Sequence, residues 1–302
     1  MKHLRNFLFC LSLAATAHAA TPSDSVNLAL DRAMQIKNTG SAESAILEDG
    51  GDIQLLKQQA STPFKFHVGI FNDVEYQSNA NLDGNSGKGA AVWLPSAEVG
   101  LDWDIAPKWS LQSTLGAEAG MYSDVEEQNY WGLSSKTSLK YSFGRNLPNL
   151  YAGPDFYRYQ SFDTGDEISL GVAPKVGMGY GYMIEKSKTY LFSDVRYQRH
   201  FVSPSDGNND QDRHTVRVIL GVSQQVANGL FALAYYEYRY SDYDAFNRED
   251  SRNTVGGSLT WEATRNLSLR LNTSFTDNDS TISAAEFQSL NAGMGSSLIW
   301  FF

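Results

Sequence analysis

Several things are scarce in this chain, and each scarcity closes a class of function. Cysteine occurs once in 302 residues, at Cys10, and histidine five times. A disulfide framework is therefore excluded, as are the Cys/His clusters that hold structural zinc. Basic side chains are outnumbered, with Lys+Arg 24 against Asp+Glu 34 and a formal net charge of −10. That balance argues against a nucleic-acid partner, which needs clustered Lys and Arg on one face. No run of about 18 apolar residues exists, so no transmembrane helix is available. The last absence does not exclude a membrane. A transmembrane β-barrel needs only alternate residues to be apolar, because half of each strand faces water.

What is present begins with the first twenty residues. Lys2, His3 and Arg5 form a basic head, Phe7 to Ala15 is apolar, and Ala17-His18-Ala19 has the small-x-small pattern of a signal-peptidase site. Residues 1–19 are read as a secretory signal peptide, and Cys10 leaves with it. Residues 20–63 form a periplasmic leader with weak helices. One starts near Asp24 or Ser25 and stops at Asn38-Thr39-Gly40; a second lies around Gln54–Ala60. This leader is either a partly ordered tail or a helix that plugs or crosses the domain behind it.

From Phe64 the hydrophobic period changes to two. Phe66, Val68, Ile70, Val74 and Tyr76 alternate with Lys65, His67, Asp73, Glu75 and Gln77. Leu111, Leu115, Ala117 and Met121 alternate with Gln112, Thr114, Glu118 and Tyr122. Alternation of this length means long strands with one apolar and one polar face. Carried to the end it predicts twelve strands, at 64–78, 91–104, 109–122, 130–143, 150–162, 167–184, 189–202, 213–226, 229–243, 251–263, 267–277 and 288–302. Residues 64–302 thus read as an all-β domain, an up-and-down antiparallel transmembrane β-barrel in the bacterial outer membrane. An even strand number and alternating short and longer connections both fit that class. The short ones include Ile105–Lys108 and Thr264–Asn266; they and both termini belong on the periplasmic side. Aromatics gather at strand ends, among them Trp93, Trp103, Trp109, Trp131, Tyr141, Tyr236 and Trp261, as two interfacial girdles require. Pro95, Pro154 and Pro174 fall inside strands, where proline removes a ladder hydrogen bond, so bulges are expected in strands five and six. The facing of Arg158 stays open for that reason.

The polar faces supply the candidate lumen. Strands one to three contribute Asp73, Glu75, Glu98, Asp102 and Glu118. Later strands contribute Lys136, Lys140, Lys175, Arg196, Arg217, Glu237, Arg239 and Arg270. An acidic wall facing a largely basic one would set a transverse field across a narrow pore for small hydrophilic solutes. Equally, the walls could salt-bridge and fill the barrel, leaving a non-conducting structural or assembly- and export-associated barrel that acts through its loops or leader. Catalysis is not expected. His200 shares parity with Asp194 and Arg196, His214 points away or sits at the rim, and no nucleophile stands beside a positioned histidine. The loop Asp206–Asp212 is acidic but lacks the EF-hand pattern. No cofactor and no metal are expected.

Two short patterns resemble known families. Leu290, Ala292, Met294, Leu298, Trp300 and Phe302 lie at period two, and an amphipathic strand ending on an aromatic is similar to the signal read by the outer-membrane barrel-assembly machinery. Trp300 and Phe302 carry it, and they make that machinery an expected partner beside outer-membrane lipid. Tyr76-Gln77-Ser78-Asn79-Ala80-Asn81 resembles the Tyr-Asp-Ser-Asn-x-x signature of β-barrel porins of the exopolysaccharide-associated type, with Gln77 in place of the usual Asp. It resembles the barrel of surface lipoprotein assembly modifiers less closely, because the leader is too short for their helical-repeat domain. The resemblance implies a pore-type barrel.

Overall fold

A computed structural model describes residues 64–80, 88–125, 128–144, 147–165, 167–184, 187–203, 212–245 and 247–302. The signal peptide and leader expected over 1–63, and the 206–211 part of the acidic loop, lie outside the described residues.

Twelve strands form one closed antiparallel barrel in sequence order: β1 (Phe64–Gln77), β2 (Ala90–Ala106), β3 (Trp109–Tyr122), β4 (Tyr130–Ser142), β5 (Asn149–Ser161), β6 (Glu167–Ile184), β7 (Thr189–Ser203), β8 (Arg213–Ala227), β9 (Leu230–Tyr243), β10 (Glu249–Glu262), β11 (Leu267–Ser280) and β12 (Phe287–Phe301). A single 3-10 turn, Ser283–Ala285, sits between β11 and β12. Closure comes from β12 pairing β1, with Val68 opposite Trp300 and Tyr76 opposite Ala292. A closed sheet leaves no edge strand, so every ladder group can be satisfied without water. Strands of about 14 residues rise some 45 Å at ~3.3 Å per residue, enough to cross a ~25 Å apolar band while tilted.

The exterior is apolar. Ile70, Val99, Leu115, Val255, Leu271 and Met294 are all exposed on it. Rings mark its turn-side rim: Phe64 stacks on Trp103 at 5.0 Å, and Trp109 meets Tyr141 at 4.8 Å. Arg158 resolves to the outside near the loop end, where its Nε donates to Glu167 Oε2 at 3.0 Å.

The prolines are a correction. Register runs unbroken through Pro154, which stands opposite Pro174, and Pro95 stands opposite Asn72. The irregularity between β5 and β6 falls at Tyr159/Gln160 instead. Near the prolines the ladder merely skips pairs: on the β6–β7 side it passes from Val172↔Phe201 to Lys175↔Gln198 without changing register. The lost donors are left on the strand without an extra residue being inserted.

Candidate functional site: a basic chamber in the barrel lumen

Inward positions follow from the same alternation, and they divide the lumen into zones. On the turn side of β7–β9 lies an apolar cluster of Phe192, Ile219, Leu233 and Tyr235, with Tyr190 against it. Phe192 can lie flat on the wall because the neighbouring strand offers Gly221, where a Cβ would come within 2.2 Å of its ring. At the loop end a second cluster, built on Val92, Tyr122 and Tyr130, draws in Ala80 and Val125 from the connections.

The acids expected as one wall have local partners. Asp73 Oδ1 accepts from Arg270 Nη2 at 2.8 Å, and Glu75 Oε1 accepts from Asn272 Nδ2 at 3.0 Å. Both contacts reach over β12, where the intervening residues are Gly295 and Gly293. Glu98 Oε1 lies 3.3 Å from His67 Nε2. Asp102 stands opposite Lys65 and Gln112, and Lys140 opposite Ser110 and Tyr151, all towards the turn side.

Between the apolar clusters, in the loop-side half, is a cavity of about 160 Å³. Seven Lys or Arg side chains line it against three carboxylates. Six of the residues anticipated from sequence converge here: Glu118, Lys136, Lys175, Arg196, Arg217 and Arg239. Lys175 pairs with Asp155, whose other oxygen accepts from Gln198 Nε2 at 3.1 Å. Glu237 is buried and shared: Oε2 accepts from Arg217 Nη2 at 2.6 Å and Oε1 from Arg239 Nη2 at 2.7 Å. Asp194 accepts the Tyr151 hydroxyl at 3.0 and 2.8 Å.

Sequence reasoning passed over Arg213, Arg252 and Asp155, which also line the chamber. Arg252 was legible in principle, since it shares parity with inward Thr254 and Thr260. Asp155 was hidden by the uncertainty around Pro154. His200 lines the cavity beside Tyr157, 6.5 Å ring to ring, while His214 is exposed outside with its Nδ1 2.5 Å from the Tyr197 hydroxyl. Among the described residues no group of three or more His, Cys, Asp or Glu could hold a metal ion. Trp300 near the end of β12 faces outward, and Phe302, one residue past the strand, exchanges backbone hydrogen bonds with Phe66, 2.8 Å from its own N and 3.3 Å to its carbonyl.

Residues 193–298 match the family described as "Putative beta-barrel porin 2". That range begins in β7 and does not include Tyr76–Asn81, the pattern that first suggested such porins. It does contain most of the basic chamber. No curated protein matches the chain. Among solved structures, an outer-membrane channel from Pseudomonas putida F1 is 11% identical, with 83% of this chain and 99% of that one covered and a TM-score of 0.53. The β domain of the Bordetella autotransporter BrkA is 14% identical over 78% of this chain and 99% of its own, with a TM-score of 0.50. Those two likenesses speak to the fold. With the apolar exterior they make this a β-barrel protein of the bacterial outer membrane, part of which, residues 193–298, is similar to the porin family.

Proposed function

We propose that the barrel is a narrow pore for passive passage of small hydrophilic solutes. The observation that carries this reading is the polar chamber: a cavity of about 160 Å³ walled by charged and hydroxylic side chains inside an otherwise lipid-facing shell. A drug-sized ligand pocket is ~300–1,000 Å³, so the solute accommodated here is small. Planar-bilayer recording of the purified, folded protein tests it. Discrete channel events of low conductance are expected. Their absence in protein that shows heat-modifiable gel mobility would overturn the pore.

One observation favours a second reading, a non-conducting structural or assembly-associated barrel. Apolar clusters are buried on both sides of the chamber, with Ile219 at 2% exposure on the lumen wall and Val125, from the connection after β3, at 1%. If these seal the barrel, function passes to the loops or the leader. For assembly, the outward Trp300 and the Phe302 that tie β12 to β1 support recognition by the barrel-assembly machinery. Phe302→Ser should then lower the yield of folded barrel in the outer membrane without altering the conductance of the fraction that folds.

A further inference from the structure

Four arginines stand side by side in the lumen wall. Arg196 on β7 is in register with Arg217 on β8, Arg217 with Arg239 on β9, and Arg239 with Arg252 on β10. Like charges directly opposite on adjacent strands are destabilising. A row of four, with Arg196 and Arg217 each under 10% exposed, is therefore not what packing alone would select. Carboxylates reach the row from the turn side, where buried Asp194 stands two residues from Arg196 on β7. Glu237, one step towards the turn side, serves both Arg217 and Arg239. Among the described residues Arg252 meets no carboxylate; its Nε donates to Asn278 Oδ1 at 3.2 Å and its guanidinium lies over the Phe287 ring at 5.2 Å. Arg239 Nε is buried with no hydrogen-bond partner among the described residues, as is the Tyr157 hydroxyl on the β5 wall of the cavity. The chamber thus has seven basic side chains against three lining carboxylates, together with buried donors.

Deepening the pore reading, on which it rests, we propose that this arginine row is an anion site, taking a small solute that carries a carboxylate or a phosphate. Guanidinium forks match those groups bidentately, and rings of Arg or Lys are how pores select anions. The oxyanion would lie along the row and supply acceptors to donors that the protein leaves unused. Its negative charge would relieve the repulsion among the four guanidinium groups. The next step towards the loops carries neutral Gln198, Thr215 and Ser241, and on β10 Asp250, whose carboxylate is taken by Arg248 Nε at 2.9 Å and the Ser280 hydroxyl at 2.7 Å, so the row stays accessible from the cavity.

Calorimetric titration of the folded barrel in detergent with inorganic phosphate at low salt, paired with reversal potentials across a KCl gradient, tests the site. Phosphate should bind, and chloride should pass in preference to potassium. Arg239→Gln and Arg252→Gln should each weaken phosphate binding about tenfold and reduce the chloride preference. Arg158→Gln, on the lipid-facing side, should change neither. If Arg239→Gln fails to fold, Arg252→Gln carries the test, since it orphans no carboxylate. No phosphate binding by the folded wild type, or unchanged binding in Arg252→Gln, would overturn the anion site. Channel events without phosphate binding would sink the site and leave the pore. Phosphate binding lost in the variants without any conductance would keep the site and sink the pore.

Discussion

Gly295 and Asp73 illustrate how much a single position decides inside a barrel. Gly295 stands between Asp73 and Arg270, and a Cβ there would come within 1.6 Å of Asp73 Oδ1. The ion pair across β12 exists because the middle strand contributes no side chain. Gly295→Ala should rotate Asp73 away from Arg270 and break this part-buried ion pair, at about 1–3 kcal/mol of stability. Urea unfolding in detergent checks this. In an Asp73→Ala background the same substitution should cost much less, and equal costs in the two backgrounds would show that the steric conflict lies elsewhere. Parity was enough to put Asp73 and Arg270 in the lumen from the sequence. Their pairing was not legible, because it depends on which residue of a third strand comes between them.

At the scale of the strand, one face meets lipid and the other meets polar groups, and the two faces respond differently to charge. Val255 is mid-strand on β10 and 58% exposed on the apolar side. Val255→Arg should destabilise the barrel by about 2–4 kcal/mol in lipid vesicles, the midplane value for a lipid-facing charge. Arg158 already tolerates that environment because it lies near the loop end of β5 and pairs with Glu167. A Val255→Arg barrel as stable as wild type would mean that this face does not meet hydrocarbon. On the inner face, Phe192 belongs to the apolar cluster below the chamber. Removing its ring with Phe192→Ala should widen the lumen on the turn side, seen as larger single-channel conductance in bilayers. If the wild type is sealed, the variant should show channel events that the wild type lacks. Equal conductance in both would show that the constriction is elsewhere. The prolines belong at this scale too. Expected to bulge β5 and β6, they hold register: the ladder omits the pairs beside Pro154 and Pro174 and resumes in step.

For the whole molecule, charge is distributed unevenly even though the chain is acidic. A net charge of −10 coexists with a chamber lined by seven basic and three acidic side chains. Permeation should therefore follow the chamber rather than the net charge. Glu118→Gln removes one of the three cavity carboxylates and should shift reversal potentials further towards anions. Glu98→Gln, outside the chamber and beside His67, should shift them less. Both effects should shrink between ~0.1 M and ~1 M salt, as the screening length falls from about 10 Å to about 3 Å. Equal shifts for the two variants would mean that the field is set along the whole lumen.

Strand number, strand length and facing were written in the local pattern of the chain. Water on one side and lipid on the other impose a period of two on each strand independently, so no knowledge of neighbours is needed to read it. Arg196, Arg217 and Arg239 were placed inward on that basis alone. Their alignment with Arg252 into one row was not readable, because height in a barrel is set by pairing register summed around the sheet. Register depends on connection lengths, on the irregularities at Asp104/Ala106, Tyr159/Gln160 and Gln225/Ala227, and on the requirement that β12 meet β1. The same holds for the acids of β1 and β2, which look like a wall in sequence. Closure brings Arg270 to Asp73 across 197 residues of chain, and so these acids are engaged locally while the chamber elsewhere in the lumen keeps seven basic side chains against three lining carboxylates.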